Sequence, residues 1–289
     1  MRKAAAALPI VVRVPLPEPM TSAGQAGVAA LLANPAGALL AVDFDGTLAP
    51  IVRRPEEAFA TPGAIEALGR LAAILGRVVV LTGRPAEQAV TLGGLHDVAG
   101  LLVLGHYGLQ RWEAGRLQTP RADPAVARAL TRLPELPAGT YVEDKGLSFA
   151  VHTRRCADPA AALAALDGPL RAVAADAGLE VVDGSFTREL RPTGTDKGRA
   201  LRALARAERP SAVLVLGDDD GDLPAADAVA ELRAGGVPGL VVCAERAGGS
   251  LALRAQADVV VAGVEGVRGF LVALVAALES STSQRRQGD

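Results

Sequence analysis

Cysteine and aromatic residues are scarce in this chain, and its net charge is small. The two cysteines, Cys156 and Cys243, lie far apart, which excludes a disulfide framework and fits a reducing cytoplasm, where we expect the protein to act. Hydrophobic residues make up 50% of the chain but aromatic residues only 3%, so the core has to be built from Ala, Val and Leu. A net charge of −2 makes nucleic acid and anionic membranes poor candidates as partners.

Long apolar runs are missing as well. No stretch of about 18 residues is apolar and free of glycine and charge, so we expect no transmembrane helix. Lysine is also rare, because only three of the 30 basic residues are lysines: Lys3, Lys145 and Lys197. Because the chain uses arginine at nearly all other basic positions, the two interior lysines suggest that a compact ammonium group is needed there.

Short apolar runs alternate with helical patterns along most of the chain. Runs of four or five apolar residues, such as 39–42, 78–81 and 212–216, are typical of strands buried on both faces of a parallel sheet. The alternation predicts an α/β fold with a doubly wound, mostly parallel sheet. Between about 119 and 192 the order becomes helix, two strands, helix, two strands, which predicts a smaller inserted α+β domain.

This pattern divides the chain into four expected parts. We expect a partly flexible N-terminal extension, a core domain in two segments, the inserted domain and a disordered tail. Their ranges are 1–36 for the extension, 37–118 and 193–280 for the core, 119–192 for the insert and 281–289 for the tail.

The first strand is followed by two carboxylates, Asp43 and Asp45, and then by Gly46. Residues two apart in an extended chain point the same way, so both carboxylates emerge at the carboxyl end of the strand. Open α/β sheets bind ligands at that edge. Two like charges about 4 Å apart repel by roughly 4 kcal/mol at an effective dielectric constant near 20. The pair therefore needs a cation or a proton, unless the segment is an ordinary acidic turn.

Other strand ends bring more polar residues to the same edge. Thr82 follows the second strand, Asp218 and Asp222 follow a later one, and Lys197 begins the helix before it. Clustered carboxylates predict a site for a hard cation such as Mg²⁺, and a lysine and a hydroxyl beside it could hold a phosphoryl group. Thr82 and Asp222 could instead be helix caps, and Lys197 could be a surface residue.

The chain resembles the haloacid dehalogenase superfamily of phosphatases in four motifs. These are Asp43-x-Asp45-Gly46-Thr47, Thr82-Gly83-Arg84, Lys197 and Gly217-Asp218-Asp219-x-x-Asp222. The resemblance implies a Rossmann-like core and a cap domain formed by the insert. It also implies that Asp43 attacks phosphorus, that Asp45 is the acid and base, and that Thr82 and Lys197 hold the transferring oxygens. Mg²⁺ would be bound by Asp43, the backbone carbonyl of Asp45 and Asp218, with Asp222 in support.

Within the insert, the segment from Glu143 to Arg154 is similar to the cap signature of trehalose-6-phosphate phosphatases, and Glu189-x-Arg191-Pro192 also matches. The resemblance implies a phosphoric monoester hydrolase acting on a sugar phosphate, most simply trehalose 6-phosphate, and coupling to a trehalose-6-phosphate synthase. The implied substrate-binding residues are Gly83, Arg84, Glu143, Lys145, Ser148, Glu189 and Arg191. For Glu143 and Lys145, a cross-strand surface ion pair is the alternative.

Two departures from the family pattern leave the substrate open. Where the family has His-Gly-x-Glu, this chain has Tyr107-Gly108-Leu109-Gln110, and it has Leu223 where the family has glutamate. The alternatives are a phosphatase for sucrose 6-phosphate or for a mannosyl- or glucosyl-3-phosphoglycerate, or a catalytically silent partner that binds a sugar phosphate. A receiver domain is disfavoured, because receiver domains are shorter and carry no insert.

Overall fold

The computed structural model describes residues 15–184 and 186–288, with side chains described as far as residue 281. Residues 1–14 of the expected extension and Asp289 of the expected tail lie outside this part of the chain. The strands are β1 (Ala38–Val42), β2 (Arg77–Leu81), β3 (Leu101–Gly105), β4 (Gln110–Glu113), β5 (Arg116–Gln118), β6 (Tyr141–Asp144), β7 (Phe149–His152), β8 (Leu179–Gly184), β9 (Thr187–Pro192), β10 (Ala212–Gly217), β11 (Gly239–Glu245) and β12 (Val259–Ala262). The helices are α1 (Ser22–Ala33), α2 (Pro62–Ile74), α3 (Ala86–Gly93), α4 (Pro124–Leu130), α5 (Pro159–Ala177), α6 (Lys197–Glu208), α7 (Leu223–Ala234), α8 (Leu251–Gln256) and α9 (Gly263–Gly288).

Eight strands form one large sheet in the order β12-β11-β10-β1-β2-β3-β4-β5. The first six are parallel, and the hairpin of β4 and β5 extends the sheet in antiparallel fashion. Alternate residues of β1 enter two separate cores, with Leu40 and Val42 on one side and Leu39 and Ala41 on the other. The sheet is therefore covered on both faces, as its unbroken apolar strands predict.

The other four strands form a smaller antiparallel sheet in the order β6-β7-β9-β8. On β7, Phe149 and Val151 face a core shared with α4 and α5. Because side chains alternate along a strand, Ala150 and His152 lie on the opposite face. Ala150 pairs with Glu143 on one neighbouring strand and with Glu189 on the other. This register places the two glutamates in one row on the face that has no helices.

The predicted α/β fold class is confirmed, but several elements differ from the prediction. Helix α1 lies inside the expected extension and was not predicted. It packs against β11 through a close approach of the two backbones rather than through a broad apolar face. A methyl group at Gly27 would lie 2.1 Å from the carbonyl oxygen of Gly239. Helix α5 continues through Pro169, and its Leu166 and Leu170 pack in the core of the smaller sheet. Helix α9 continues to Gly288, through the segment expected to be a disordered tail.

Within the described residues, no helix combines the length and the hydropathy needed to span a membrane.

Candidate active site

The candidate site lies where β1, β2 and β10 end side by side in the large sheet. Asp43 follows β1, Thr82 follows β2 and Asp218 follows β10, and the three strands are adjacent and parallel. Neighbouring parallel strands end at one edge, so these side chains meet without any local sequence contact. The main chain holds the arrangement, because the Asp43 amide donates to the Leu216 carbonyl at 2.9 Å and the Thr82 amide to the Leu104 carbonyl at 3.0 Å.

Three buried aspartates form an acidic cluster at this edge: Asp43, Asp218 and Asp222. One carboxylate oxygen from each lies within 4.8 Å of the other two. Asp222 is anchored because its Oδ2 accepts the Asp218 amide at 2.9 Å. Gly46 has a φ of +84°, and a methyl group there would lie 2.2 Å from Asp218 Oδ2. The turn after β1 can pass this close to the cluster only with glycine.

Lys197 joins two members of the cluster from the first turn of α6. Its Nζ donates to Asp43 Oδ1 and, at 2.7 Å, to Asp222 Oδ1. Burial works to lower the pKa of Lys197, but the charges of Asp222 and Asp43 outweigh it and raise the pKa well above its usual value. Lys197 is therefore a buried, charged ammonium group rather than the surface residue that was considered as an alternative.

The acidic cluster holds more negative charge than its neighbours balance. Burial raises the pKa of Asp43 well above its usual value, and the nearby charges of Asp222 and Asp218 add to this although Lys197 opposes it. Burial and the neighbouring carboxylates Asp219 and Asp222 likewise raise the pKa of Asp218 to about 7. A proton or a cation is thus needed for the cluster to persist at neutral pH.

The cluster fits Mg²⁺ by the chemistry of its donors. The three donors are carboxylate oxygens, which Mg²⁺ prefers, and Gly46 lets the turn after β1 pass close to them without a side chain of its own. The Asp45 side chain lies apart from the cluster. A role for this residue in metal binding would fall to its backbone carbonyl, as the resemblance implies.

Arg84 holds Asp45 in a two-pronged ion pair. Arg84 Nε donates to Asp45 Oδ2 and Nη2 donates to Oδ1, each at 2.6 Å. The Arg84 amide also donates to the Thr82 hydroxyl at 3.1 Å, so Thr82 takes part in the local turn as well as facing the cleft. This two-pronged contact fixes the orientation of the Asp45 carboxylate at the wall of the cleft.

A cleft separates this edge from the helix-free face of the small sheet. Its wall includes Asp43, Asp45, Thr82, Gly83, Arg84 and Lys197 from the core and Glu143, Lys145 and Glu189 from the small sheet. Both interior lysines reach the cleft, in keeping with the scarcity of lysine elsewhere. Lys145 Nζ donates to Glu189 Oε2 at 2.9 Å, and Glu143 Oε2 lies 3.0 Å from His152 Nε2. Glu143 and Lys145 are thus not a simple surface ion pair.

Two predicted substrate-binding residues support the cleft from behind. Ser148 is 2% exposed and donates its hydroxyl to Glu189 Oε1 at 2.6 Å. Arg191 donates through Nε to Glu180 Oε1 at 2.7 Å and lies over the Tyr107 ring. Neither belongs to the described residues that line the cleft.

Three residues near the site were not among the predicted site residues. Arg246 follows β11 directly and donates to Asp218. Its position immediately after a strand could have identified it from the sequence. His152 lines the cleft and contacts Glu143, although only other residues of the segment from Glu143 to Arg154 were predicted to bind substrate. Tyr107 also lines the cleft, where its identity had been noted only as a departure from the family.

The departure at Gln110 has a structural explanation. Its Oε1 accepts the Ala86 amide at 2.8 Å at the start of α3, and its Nε2 donates to the Thr119 hydroxyl at 3.3 Å. A neutral carbonyl oxygen meets this need as well as a carboxylate would. The loss of a glutamate here therefore changes a helix terminus and not the wall of the cleft.

Comparison with known proteins agrees with this geometry. The sequence profile of the family described as trehalose-phosphatase matches residues 41–257. The chain belongs to the trehalose-phosphatase family. The predicted resemblance is thereby confirmed. The matched residues take in the whole of the small sheet and all of the large one except β12 and the first three residues of β1.

Relatives and solved structures of this family resemble the chain along much of its length. The trehalose-phosphate phosphatase of Mycobacterium marinum is 35% identical over 203 residues, which is 65% of this chain and 50% of that protein. The chain thus spans about half the length of this relative. The C-terminal domain of C. albicans trehalose-6-phosphate phosphatase has a TM-score of 0.68 and 20% identity, covering 90% of this chain and 99% of that one. The Aspergillus fumigatus enzyme has a TM-score of 0.60 and 23% identity, covering 92% and 100%. These likenesses establish the fold.

Proposed function

We propose that this protein is a Mg²⁺-dependent phosphatase that hydrolyses trehalose 6-phosphate through an aspartyl-phosphate on Asp43. The observation that carries the proposal is that one cleft is lined by two different sets of groups. Asp43, Thr82 and Lys197 suit a phosphoryl group, and Glu143, Lys145 and Glu189 suit the hydroxyl groups of a sugar. Phosphate monoesters hydrolyse very slowly without a catalyst, so the site has to neutralise charge around phosphorus.

In this proposal Asp43 Oδ attacks phosphorus, the P–O bond to the sugar breaks, and water later cleaves the aspartyl-phosphate. Lys197 and the Thr82 hydroxyl hold phosphoryl oxygens and stabilise their charge. Asp43, Asp218 and Asp222, which come within reach of one ion, would hold Mg²⁺. When bound, Mg²⁺ supplies further charge neutralisation at the phosphoryl group.

Asp45 is proposed to protonate the leaving sugar oxygen and then to take a proton from the attacking water. The ion pair with Arg84 holds the Asp45 carboxylate at the wall of the cleft, where both proton transfers would take place. For the first step, Arg84 would have to give up this contact, and the phosphoryl group is the natural acceptor for the freed guanidinium. Arg84 would then serve both substrate binding and proton transfer.

The polar wall formed by the small sheet supports a sugar as the leaving group. Sugar recognition depends on donors and acceptors at defined positions, and a site built in this way rejects ligands that leave its groups unpaired. Residues 119–192 would act as a cap that reads the sugar. We include in the proposal a cytoplasmic site of action and coupling to a trehalose-6-phosphate synthase, which would supply the substrate.

A phosphate-release assay tests the chemical step. We expect Asp43→Asn to lower kcat by at least about 10³-fold while the variant stays folded, because Lys197 keeps its bond to Asp222. Asp176→Asn on the exposed surface of α5 is the matched control and should keep the wild-type rate. EDTA should abolish release and added Mg²⁺ should restore it. Normal turnover by Asp43→Asn would refute the assigned nucleophile.

A substrate panel tests the leaving group. Wild-type kcat/KM should be highest for trehalose 6-phosphate among that ester, sucrose 6-phosphate, glucose 6-phosphate and glucosyl-3-phosphoglycerate. A clear preference for another ester would replace the proposed substrate but keep the phosphatase. Binding of these esters without phosphate release, with Mg²⁺ present, would instead indicate a silent binding protein.

A further inference from the structure

Glu189 lies at the centre of a hydrogen-bond network that joins the small sheet to the core. Its carboxylate accepts from Ser148 Oγ at 2.6 Å, from Lys145 Nζ at 2.9 Å and from Tyr107 Oη at 3.1 Å. Glu189 is 6% exposed. Burial works to raise its pKa, but the charge of Lys145 and the hydrogen bonds from Ser148 and Lys145 outweigh burial and lower it. Glu189 is therefore a buried anion held by three donors.

Tyr107 is the donor that comes from the core. Lys145 and Ser148 belong to the connection between β6 and β7, whereas Tyr107 lies in the short 3₁₀ turn His106–Gly108 after β3. The Tyr107 amide donates to the Thr82 carbonyl at 2.9 Å. Tyr107 thus connects the end of β2, where Thr82 lies, with the Glu189 carboxylate that binds Lys145.

The Tyr107 ring is held by close neighbours. A methyl group at Gly83 would lie 2.6 Å from Tyr107 Oη, and the Arg191 guanidinium lies 4.1 Å from the ring centre. The Tyr107 backbone has φ 56° and ψ 29°, a left-handed conformation that is uncommon for residues other than glycine. Residues held in such conformations cluster at functional sites. The surroundings therefore determine where the phenol oxygen points.

We propose that Tyr107 is a positioning residue that orients the Lys145–Glu189 pair toward the sugar of the substrate. This inference rests on the proposed function. The phosphoryl end of the substrate is held by the core and the sugar end by the small sheet, so both ends must be presented at a constant separation. Without the Tyr107 hydroxyl, Lys145 and Glu189 remain paired but lose their bond to the core.

The identity of the residue makes this a feature of the present chain. The resemblance stated from the sequence implies a histidine at the position of Tyr107. A tyrosine places its donor several bonds farther from the backbone than an imidazole does, and here that donor reaches Glu189. The departure that left the substrate open in the sequence thus becomes a specific contact between the two parts of the cleft.

Tyr107→Phe tests the proposal because it removes the hydroxyl and keeps the ring under Arg191. We expect KM for trehalose 6-phosphate to rise about tenfold, the effect of losing a hydrogen bond to a charged group. KM for p-nitrophenyl phosphate, which has no sugar, and kcat for both substrates should change less than about twofold. Tyr141→Phe is the matched control, since the Tyr141 hydroxyl bonds to no described residue.

A double-mutant cycle with Glu189→Gln separates positioning from general structure. If Tyr107 acts through Glu189, adding Tyr107→Phe to Glu189→Gln should change KM for trehalose 6-phosphate less than about twofold. The full tenfold effect in the Glu189→Gln background would overturn the proposal. Equal rises in KM for the two substrates, or a loss confined to kcat, would overturn it too.

The proposed substrate and the role of Tyr107 can be refuted separately. A wild-type enzyme that hydrolyses p-nitrophenyl phosphate but not trehalose 6-phosphate would refute the proposed substrate and the role of Tyr107 with it. A wild type that is active on both, together with an unchanged Tyr107→Phe variant, would refute only the role of Tyr107.

Discussion

At the scale of single residues, the site depends on ionisable groups removed from water. Lys197, Glu189 and Asp43 are each less than a tenth exposed, and each is matched by an opposite charge or by close hydrogen bonds. His106 is the exception, since it is 1% exposed, its Nε2 has no partner among the described residues, and its Nδ1 lies 3.5 Å from Ser148 Oγ. Burial lowers the pKa of His106 from 6.5 to about 4.

This shift makes stability depend on pH in a defined direction. Between pH 6.5 and about 4 the unfolded chain binds a proton at His106 that the folded chain does not, so acid favours unfolding. Glu189, Glu143 and Lys145 face the imidazole and are present in any variant of it. From pH 7 to pH 5, the wild type should lose about 2 kcal/mol more free energy of unfolding than His106→Asn.

Urea unfolding at the two pH values measures this difference. Asparagine tolerates the left-handed backbone at position 106, where φ is 47°. Equal acid losses in the two proteins would mean that His106 is not held neutral by burial.

At the scale of elements, strand alternation and helix ends determine which side chains reach the cleft. On β7, Phe149 and Val151 face the helices, so Ala150 and His152 face the cleft, and pairing aligns Glu143 and Glu189 with Ala150. The sequence predicted strands here but not their pairing order. Pairing depends on packing between distant segments, which leaves no local pattern.

Gln110 provides a prediction about one such element. Gln110→Leu keeps the volume but removes the acceptor of the Ala86 amide at the start of α3, so it should destabilise the protein by about 1–3 kcal/mol. Gln118→Leu, an exposed change on β5, is the control and should stay within about 0.5 kcal/mol. Denaturant midpoints measure both. Equal midpoints would show that the helix terminus finds another partner.

At the scale of the whole molecule, residues from both halves of the chain meet at one sheet edge. Asp43 lies before the inserted region, whereas Lys197, Asp218 and Asp222 lie after it. The parallel pairing of β1 with β10 brings them together. A cation held by this cluster would therefore join two segments that are far apart in sequence and exist together only in the folded chain.

Mg²⁺ should accordingly stabilise the folded protein. At ten times its dissociation constant a ligand specific for the folded state adds about 1.4 kcal/mol, or a rise in Tm of about 2–4 °C for a chain of this size. Asp218→Asn should abolish the rise, and NaCl of matched ionic strength should not reproduce it. Thermal unfolding followed by circular dichroism measures the shift. An unchanged Tm at saturating Mg²⁺ would argue against the site.

The sequence alone determined the family, the α/β class and the residues at the strand ends. Buried parallel strands are continuous apolar runs, and a functional residue directly after such a run is visible within a few positions. Asp43, Thr82 and Asp218 could all be found in this way. The two interior lysines were visible because lysine is rare in the rest of the chain.

Only the tertiary structure decided what these residues touch. Helix α1 docks through glycine contacts that carry no periodic signal, and Ser148 and Arg191 turned out to lie behind the cleft rather than in its wall. Tyr107 reaches Glu189 across 82 residues of sequence. Such contacts arise only when distant segments of the chain come together, because their free energy depends on distances that no local stretch of chain specifies.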